Sequence, residues 1–399
     1  MKGNIQNCLK REELLQAVLE RWKIKADTMS ISLDQCLDYV TAEDIAAIYT
    51  IPVMRVSAMD GFAVKSTAFQ NGVPDLSGWV YGEDYVSADT GDDFPDAFDS
   101  VIPVEQLHYD ETGTLQLEED FLFTPGSNIR PAGSMMQAGD LLVRKNTRIT
   151  PGLLGNLAAG GITIVPVLRK PVVTFIPTGS ELVSPGSVVQ RGQNIDSNSA
   201  MIGAYLRKWG AEVIPCQIIR DDPELLKDTM NTALHSSDIV ILNGGSSKGK
   251  EDFNTRIIQQ QSGFFLHGVR TVPGRPVGIA FINDTLVINM PGPSMAAWVV
   301  NDWLLHPLIC HYYGIAVPER RRVQAIMAED LKKGPAVELY SRVKLERKDG
   351  VLYAVPYKRG SRLSESLREG TGLLILPIGT TGYEKGQRGE IELLAEFAL

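Results

Sequence analysis

The residues best suited to chemistry lie in short Gly-rich segments between apolar runs. The strongest is Asn243-Gly244-Gly245-Ser246-Ser247-Lys248-Gly249-Lys250-Glu251-Asp252. Successive glycines let backbone N–H groups converge on an anion, and a following helix start adds positive potential. Lys248 and Lys250 either add charge to such a phosphate site or are simply solvated, and Asp252 is a helix cap or a ligand. The spacing is neither a P-loop nor G-x-G-x-x-G. Pro177-Thr178-Gly179-Ser180-Glu181-Leu182 follows another apolar run. Thr178 and Ser180 offer hydroxyls, and Glu181 suits a hydroxyl, an amine or a hydrated cation, although a capped helix entry explains the same residues.

Asp196-Ser197-Asn198 reads as a ligand set or as a helix cap. In Arg220-Asp221-Asp222-Pro223, Asp222 makes a good N-cap before a proline at the first helical position, which leaves Asp221 as the functional candidate. Turns at Pro273-Gly274-Arg275-Pro276 and Met290-Pro291-Gly292-Pro293-Ser294 complete the set. Elsewhere, Ser57-Ala58-Met59-Asp60-Gly61-Phe62-Ala63-Val64 is unusual for a simple hairpin, although Asp60-Gly61 is an ordinary turn pair.

These segments meet only if a fold brings them to one rim. Apolar runs at 172–176, 212–216 and 238–242 alternate with helical patterns at 199–209 and 223–234. That alternation predicts a doubly wound, mostly parallel sheet, with ligands at the carboxyl ends of its strands. The expected class is therefore multidomain α/β, with the central domain at 171–316. Residues 11–23 carry Leu14, Leu15, Val18, Leu19 and Trp22 at helical spacing. A second short helix entry falls at 32–37, and another helix at 151–157. Short β-type runs broken by Gly, Asp and Pro predict an inserted β module at 43–140. Residues 1–42 and 141–170 would then form one elongated N-terminal domain. From about Val317 the helical pattern disappears, which predicts a C-terminal β barrel at 317–399.

Composition excludes other classes. With 399 residues, two to four domains are expected. The 44% hydrophobic and 22% charged content is that of a globular chain. No run approaches the roughly 20 apolar residues that span a bilayer, and the N-terminus lacks an apolar signal core, so the expected location is the cytoplasm, with no membrane partner. The 4 cysteines are scattered and the 5 histidines form no H-x-x-x-H pair, which argues against disulfide, redox and histidine-metal chemistry. A net charge of −9 argues against nucleic acid as a partner while leaving room for a local basic pocket.

Taken together, the motifs resemble the molybdopterin molybdenumtransferase (molybdenum insertase) family, which includes the E domain of gephyrin. Residues 57–64 look like its S-A-M-D-G-[YF]-A signature, and Thr90-Gly91 with Val101 to Glu105 is similar to its T-G-x-x-[PL]…V-[VI]-x-x-E segment. Residues 178–182 resemble T-G-[DS]-E-[LI], 196–198 D-[ST]-N, 244–252 G-G-[VT]-S-x-G-x-x-D, and 273–276 P-G-[KR]-P. Pro291-Gly292 resembles the start of L-P-G-[NY]-P, and Gly360-Ser361 resembles [QH]-[GS]-S. The resemblance spans essentially the whole chain. It implies insertion of molybdenum from molybdate into adenylylated molybdopterin, with Mg²⁺ and release of AMP. It also implies a homodimer, partner proteins in cofactor biosynthesis, and a cleft between the α/β domain of one subunit and the β module of the other. Asp60, Thr90, Glu181, Asp221, Asp252, Arg342 and Ser361 fall on positions that look functional.

The chain departs from the family pattern at three places. Met135 stands where an acidic residue is common, Val272 where a lysine usually precedes P-G-[KR]-P, and Pro293 where asparagine is usual. A lost lysine matters at an oxyanion site, since a charge-assisted hydrogen bond contributes about 1.5–3 kcal/mol. Arg270, Lys248 and Lys250 are candidates to restore the charge. On this reading the 244–249 loop grips phosphate, and Thr178, Gly179, Ser180, Asp196, Asn198, Pro273, Gly274, Pro291 and Gly292 contact substrate. Glu181, Asp221 and Asp252 hold Mg²⁺ and nucleotide, Asp60 orients water or metal, and Arg275, Arg342 and Ser361 hold molybdate. The alternatives are a carrier, sensor or scaffold that binds a molybdopterin-type ligand without turnover, and a generic nucleotide-dependent hydrolase, which leaves residues 57–64 unexplained.

Overall fold

The computed structural model describes residues 8–24, 26–244, 253–358 and 361–394. The chain divides into two compact units, one at 28–167 and one built from residues up to 27 with those from 168 onward. Among the described residues no helix is long and apolar enough to cross a membrane.

In the larger unit a six-stranded sheet runs in the order Glu212–Pro215, Val172–Thr178, Ile239–Gly244, Thr285–Met290, Gly278–Ile282 and Phe265–His267. The first four strands are parallel. Their buried runs, such as Ile239 to Leu242, are continuous because both faces are covered. Helices Pro223–Leu234 and Phe253–Gln261 pack Leu226, Met230, Ile257 and Ile258 onto Ile176, Val240 and Val287. Alternate residues such as Phe175 and Ile241 point to the other face.

The sheet is less uniformly parallel than the repeating strand–helix pattern suggests. Gly278–Ile282 runs antiparallel to its neighbours because only Asn283 and Asp284, both at positive φ, connect it to Thr285–Met290. A two-residue turn of that kind closes a hairpin and leaves no room for a crossover helix.

Strands Glu338–Lys348, Val351–Pro356, Arg322–Met327, Arg388–Leu393 and Gly372–Leu376 close on themselves through pairing of the first with the last. Val343, Leu374 and Ile391 fill the barrel. The expected absence of helix beyond 317 is corrected by the short helix Leu363–Glu369.

Helix Arg11–Arg21 makes its contacts within this same unit. Leu14 and Val18 are fully buried, Trp22 packs against His311 and Tyr312, and Arg11 Nε bonds Glu338 at 3.0 Å. These partners are distant in sequence, which is why local patterning did not reveal the contacts.

The unit at 28–167 holds three core clusters. Helix Pro151–Ala159, capped by Thr150, packs Leu157 with Ile45, Ile149 and Val165. A separate three-stranded sheet orders Tyr85–Ala88, Gly61–Val64 and Ser100–Pro103, with Ala63, Phe94 and Val101 on one face and Val64, Phe69 and Ile102 on the other. Ile45–Ala46 pairs with Leu141–Val143 in the first core, so the β-rich insertion is shorter than the run from 43 to 140. The expected helix entry at 32–37 is a single 3-10 turn, Leu33–Gln35.

Candidate functional site

The carboxyl ends of the parallel strands bring four of the sequence segments to one rim. Thr178 and Gly244 end adjacent strands in register, and Met290 lies opposite Asn243. Ile219 bridges to Thr178, which carries the Asp221 loop to the same edge. Gly244 has φ +124°, and a Cβ there would lie 2.1 Å from the Thr178 carbonyl oxygen, so only glycine allows this approach. Gly179, at φ +143°, lies under the Glu181 carboxylate, which leaves a Cβ at most 2.6 Å of clearance.

Buried asparagines tie the rim together. Asn243 Nδ2 donates to the Pro291 carbonyl at 2.9 Å, while its Oδ1 accepts from Asn198 Nδ2 at 2.9 Å. Asn198 also donates to the Gly292 carbonyl at 2.7 Å. Asn254 donates to Thr178 Oγ1 and the Gly244 carbonyl, each at 3.1 Å, and to Asn289 Oδ1 at 3.3 Å. Amides at 1–6% exposure are costly unless bonded, and here each bond crosses between chain segments. Asn254 and Asn289 were not singled out from sequence, and Asn243 stood only as the first residue of the Gly-rich segment, with no role of its own. The available signal was a polar side chain inside an apolar run, as at Ile288-Asn289-Met290.

Asp221 and Ser180 lock their two loops reciprocally. Ser180 N–H donates to Asp221 Oδ2 at 3.4 Å, and Asp221 N–H donates to Ser180 Oγ at 3.0 Å. Glu181 and Asp221 are both exposed. Asp222 caps its helix through the Glu224 and Leu225 N–H groups, as expected. Asp196 is buried, and its carboxylate accepts from both the N–H and the hydroxyl of Ser199 at the start of helix Asn198–Lys208. Residues 245–252, with Gly245, Ser246, Ser247, Lys248, Lys250 and Asp252, lie outside the described residues. Among the described residues no three His, Cys, Asp or Glu side chains stand close enough to hold a metal ion.

In the other unit the Asp60 and Thr90 segments meet. Asp60 Oδ1 accepts the Thr90 N–H at 2.7 Å, and hydrogen bonding from Thr90 holds this exposed carboxyl below the usual aspartate range. Ser57 folds its hydroxyl over the turn, accepting from Met59 N–H and donating to the Met59 carbonyl, and its own carbonyl accepts from Gly91 N–H. A Cβ on Gly61 would lie 1.9 Å from the Ile102 carbonyl oxygen, which explains the glycine after Asp60. Met135 is 65% exposed on the segment bonded to Ile51.

A cleft of about 970 Å³ lies against the barrel, beside strand Thr271–Val272 and the start of helix Ser294–Val300. Val272, Pro273 and Met295 line it together with Lys332, Arg342, Tyr357 and Ser361, and Val272 pairs with Leu339 of the barrel strand that carries Arg342. Three residues assigned separately from sequence, Pro273, Arg342 and Ser361, thus share one wall system. Arg342 is buried rather than extended into solvent: Nε and Nη2 donate to the Ser366 and Gly370 carbonyls at 3.0 and 2.8 Å, and the guanidinium sits 4.6 Å from the Trp298 ring centre. Ser361 Oγ accepts the Lys358 N–H at 3.0 Å. Gly274, at φ +107°, turns the chain beside Val300. Arg275 does not line this cleft; its carbonyl accepts from Val269 N–H. Arg270 Nε donates to the Cys8 carbonyl at 2.8 Å, which ties that side chain to the N-terminal segment. Pro293 precedes helix Ser294–Val300. Lysines 332, 333 and 358 line the cleft and were not identified from sequence.

The fold and rim define a multidomain protein built around an α/β domain of the molybdopterin-binding type. Residues 9–161 match the MoeA N-terminal region (domains I and II), 174–311 match a probable molybdopterin binding domain, and 324–394 match the MoeA C-terminal region (domain IV). The chain belongs to the molybdopterin molybdenumtransferase family. It is 28% identical to the molybdopterin molybdenumtransferase of Bacillus subtilis, over 93% of this chain and 91% of that protein. The Staphylococcus aureus (strain COL) protein of the same name is 26% identical over 97% and 96%. Two crystal structures of a molybdopterin biosynthesis MoeA protein from Pyrococcus horikoshii, each 25% identical, cover 97% of this chain and 99% and 100% of theirs, with TM-scores of 0.80 and 0.75.

Proposed function

We propose that this protein is a molybdopterin molybdenumtransferase that transfers molybdenum from molybdate to adenylylated molybdopterin and releases AMP. The observation that supports this most directly is the rim, where Thr178–Glu181, Ile219–Asp222, Asn243–Gly244 and Met290–Ser294 converge under one buried amide network. Loops at the carboxyl ends of parallel strands, with glycine-exposed backbone, suit a phosphorylated ligand.

In this reading the rim binds the nucleotide phosphates, with the 245–252 segment completing the cradle. Thr178, Gly179, Ser180, Asn198, Gly244, Pro291 and Gly292 shape the rim. Mg²⁺ takes one or two carboxylates together with substrate phosphates and water. The exposed carboxylates of Glu181 and Asp221, on loops bonded to each other, fit that requirement, with Asp252 as a further ligand. When bound, the ion neutralises phosphate charge. Asp60, held ionised by Thr90, is contributed by the partner subunit of the homodimer and orients water at the bond to be cleaved. Arg342 and Ser361, beside Pro273, form the oxyanion end. Catalysis by such an array is positioning and charge neutralisation. The protein acts as a homodimer in the cytoplasm.

The test supplies purified protein with adenylylated molybdopterin, molybdate and Mg²⁺. Release of AMP together with mature cofactor is the expected result. No AMP, under conditions where an authentic insertase works, refutes the reading.

A further inference from the structure

The cleft beside the barrel is lined by Lys332, Lys333, Arg342 and Lys358 against one acid, Asp330. Most of that positive charge is already committed to the protein. Lys333 Nζ donates to the Val337 and Thr380 carbonyls at 2.7 Å each and to Gly334 at 3.3 Å, and burial lowers its proton affinity. Lys358 Nζ pairs with Glu329 at 2.5 Å. Arg342 holds two carbonyls and covers Trp298.

Lys332 differs. It sits on the two-residue strand Leu331–Lys332, whose partner is Gly382–Tyr383. Leu331 is buried in the barrel, and the alternation of a strand turns Lys332 outward. Gly382 approaches so closely that a Cβ would lie 1.9 Å from the Leu331 carbonyl oxygen, which fixes the backbone under Lys332. Its ammonium forms no ion pair or hydrogen bond with another described residue. A compact charge on a flexible stem, anchored on a rigid ribbon, can swing to meet an anion. Val272, which lines the same cleft on a strand paired with Glu338–Lys348, supplies no charge.

We infer that Lys332 is the anion-capturing residue of this cleft, setting the affinity for the tetrahedral oxyanion substrate. This rests on the molybdate reading above. Its role is one of binding, so its loss acts on KM rather than on kcat.

The experiment measures molybdate uptake by equilibrium dialysis, and KM and kcat for molybdate, in wild type, Lys332→Met, Lys332→Arg and the double variant Lys332→Met/Val272→Lys. Lys332→Met should raise Kd and KM about ten-fold or more, as expected for loss of one charge-assisted hydrogen bond, with kcat and the unfolding midpoint unchanged. Lys332→Arg should retain most of the affinity, and a lysine at 272 should restore it. If wild type binds molybdate and Lys332→Met binds it equally well, the assignment is overturned while the molybdate reading stands. If wild type takes up no molybdate, both fall. A drop in kcat at unchanged KM also overturns the binding role.

Discussion

Asp60 and Thr90 are thirty positions apart, yet the Thr90 N–H points at Asp60 Oδ1 from 2.7 Å. The bond orients one exposed carboxylate and favours its ionised form. Asp60→Asn should lower kcat by on the order of 10²-fold with little change in unfolding midpoint. A carboxyl NMR titration should place Asp60 below the ordinary aspartate value. The sign follows: a lowered pKa makes its contribution present above the unfolded value and lost only as pH falls through the folded one.

The buried amides predict a coupled loss of stability and function. Asn243→Ala removes the acceptor of Asn198 Nδ2 and the donor to the Pro291 carbonyl. Leaving such groups buried and unbonded costs about 1–3 kcal/mol each. Urea unfolding should show a loss of roughly 2 kcal/mol or more, and nucleotide affinity should fall with it.

Two glycines should respond in opposite directions to the same added methyl. Gly244→Ala places a Cβ 2.1 Å from the Thr178 oxygen at positive φ, and should destabilise by about 2 kcal/mol or more and abolish nucleotide binding. Gly155→Ala, inside helix Pro151–Ala159 with open space around it, should stabilise by about 0.5–1 kcal/mol. Calorimetry of the two variants checks both signs.

Arg342→Lys exchanges a fork for a point charge. The guanidinium satisfies the Ser366 and Gly370 carbonyls at once while lying over Trp298. A lysine ammonium cannot do both in that geometry. The variant should lose about 2 kcal/mol and shift Trp298 fluorescence, read by denaturation and emission spectra.

Replacing the exposed carboxylates should change the metal requirement. Glu181→Gln and Asp221→Asn should each raise the Mg²⁺ concentration for half-maximal AMP release several-fold, with the double variant more affected than either. Equal Mg²⁺ dependence in all variants would remove both residues from the metal site.

The sequence alone determined the local elements and the motif set. Apolar runs and caps located Val172–Thr178, Pro223–Leu234 and Ile239–Gly244, because burial on both faces and end-capping leave a local pattern. Gly61 and Gly244 were legible as glycines with a backbone purpose. What the tertiary structure decided was which distant residues meet. It placed helix Arg11–Arg21 against Glu338 and Tyr312, reversed Gly278–Ile282 through a two-residue turn, and turned Arg342 inward over Trp298. It also joined Asn198, Asn243 and Gly292 at the rim, and set Pro273, Lys332 and Ser361 around one cleft. The physical reason is range. Helix and strand periodicity act over a few residues, whereas these contacts depend on sheet order and side-chain packing across the chain, which no local window contains.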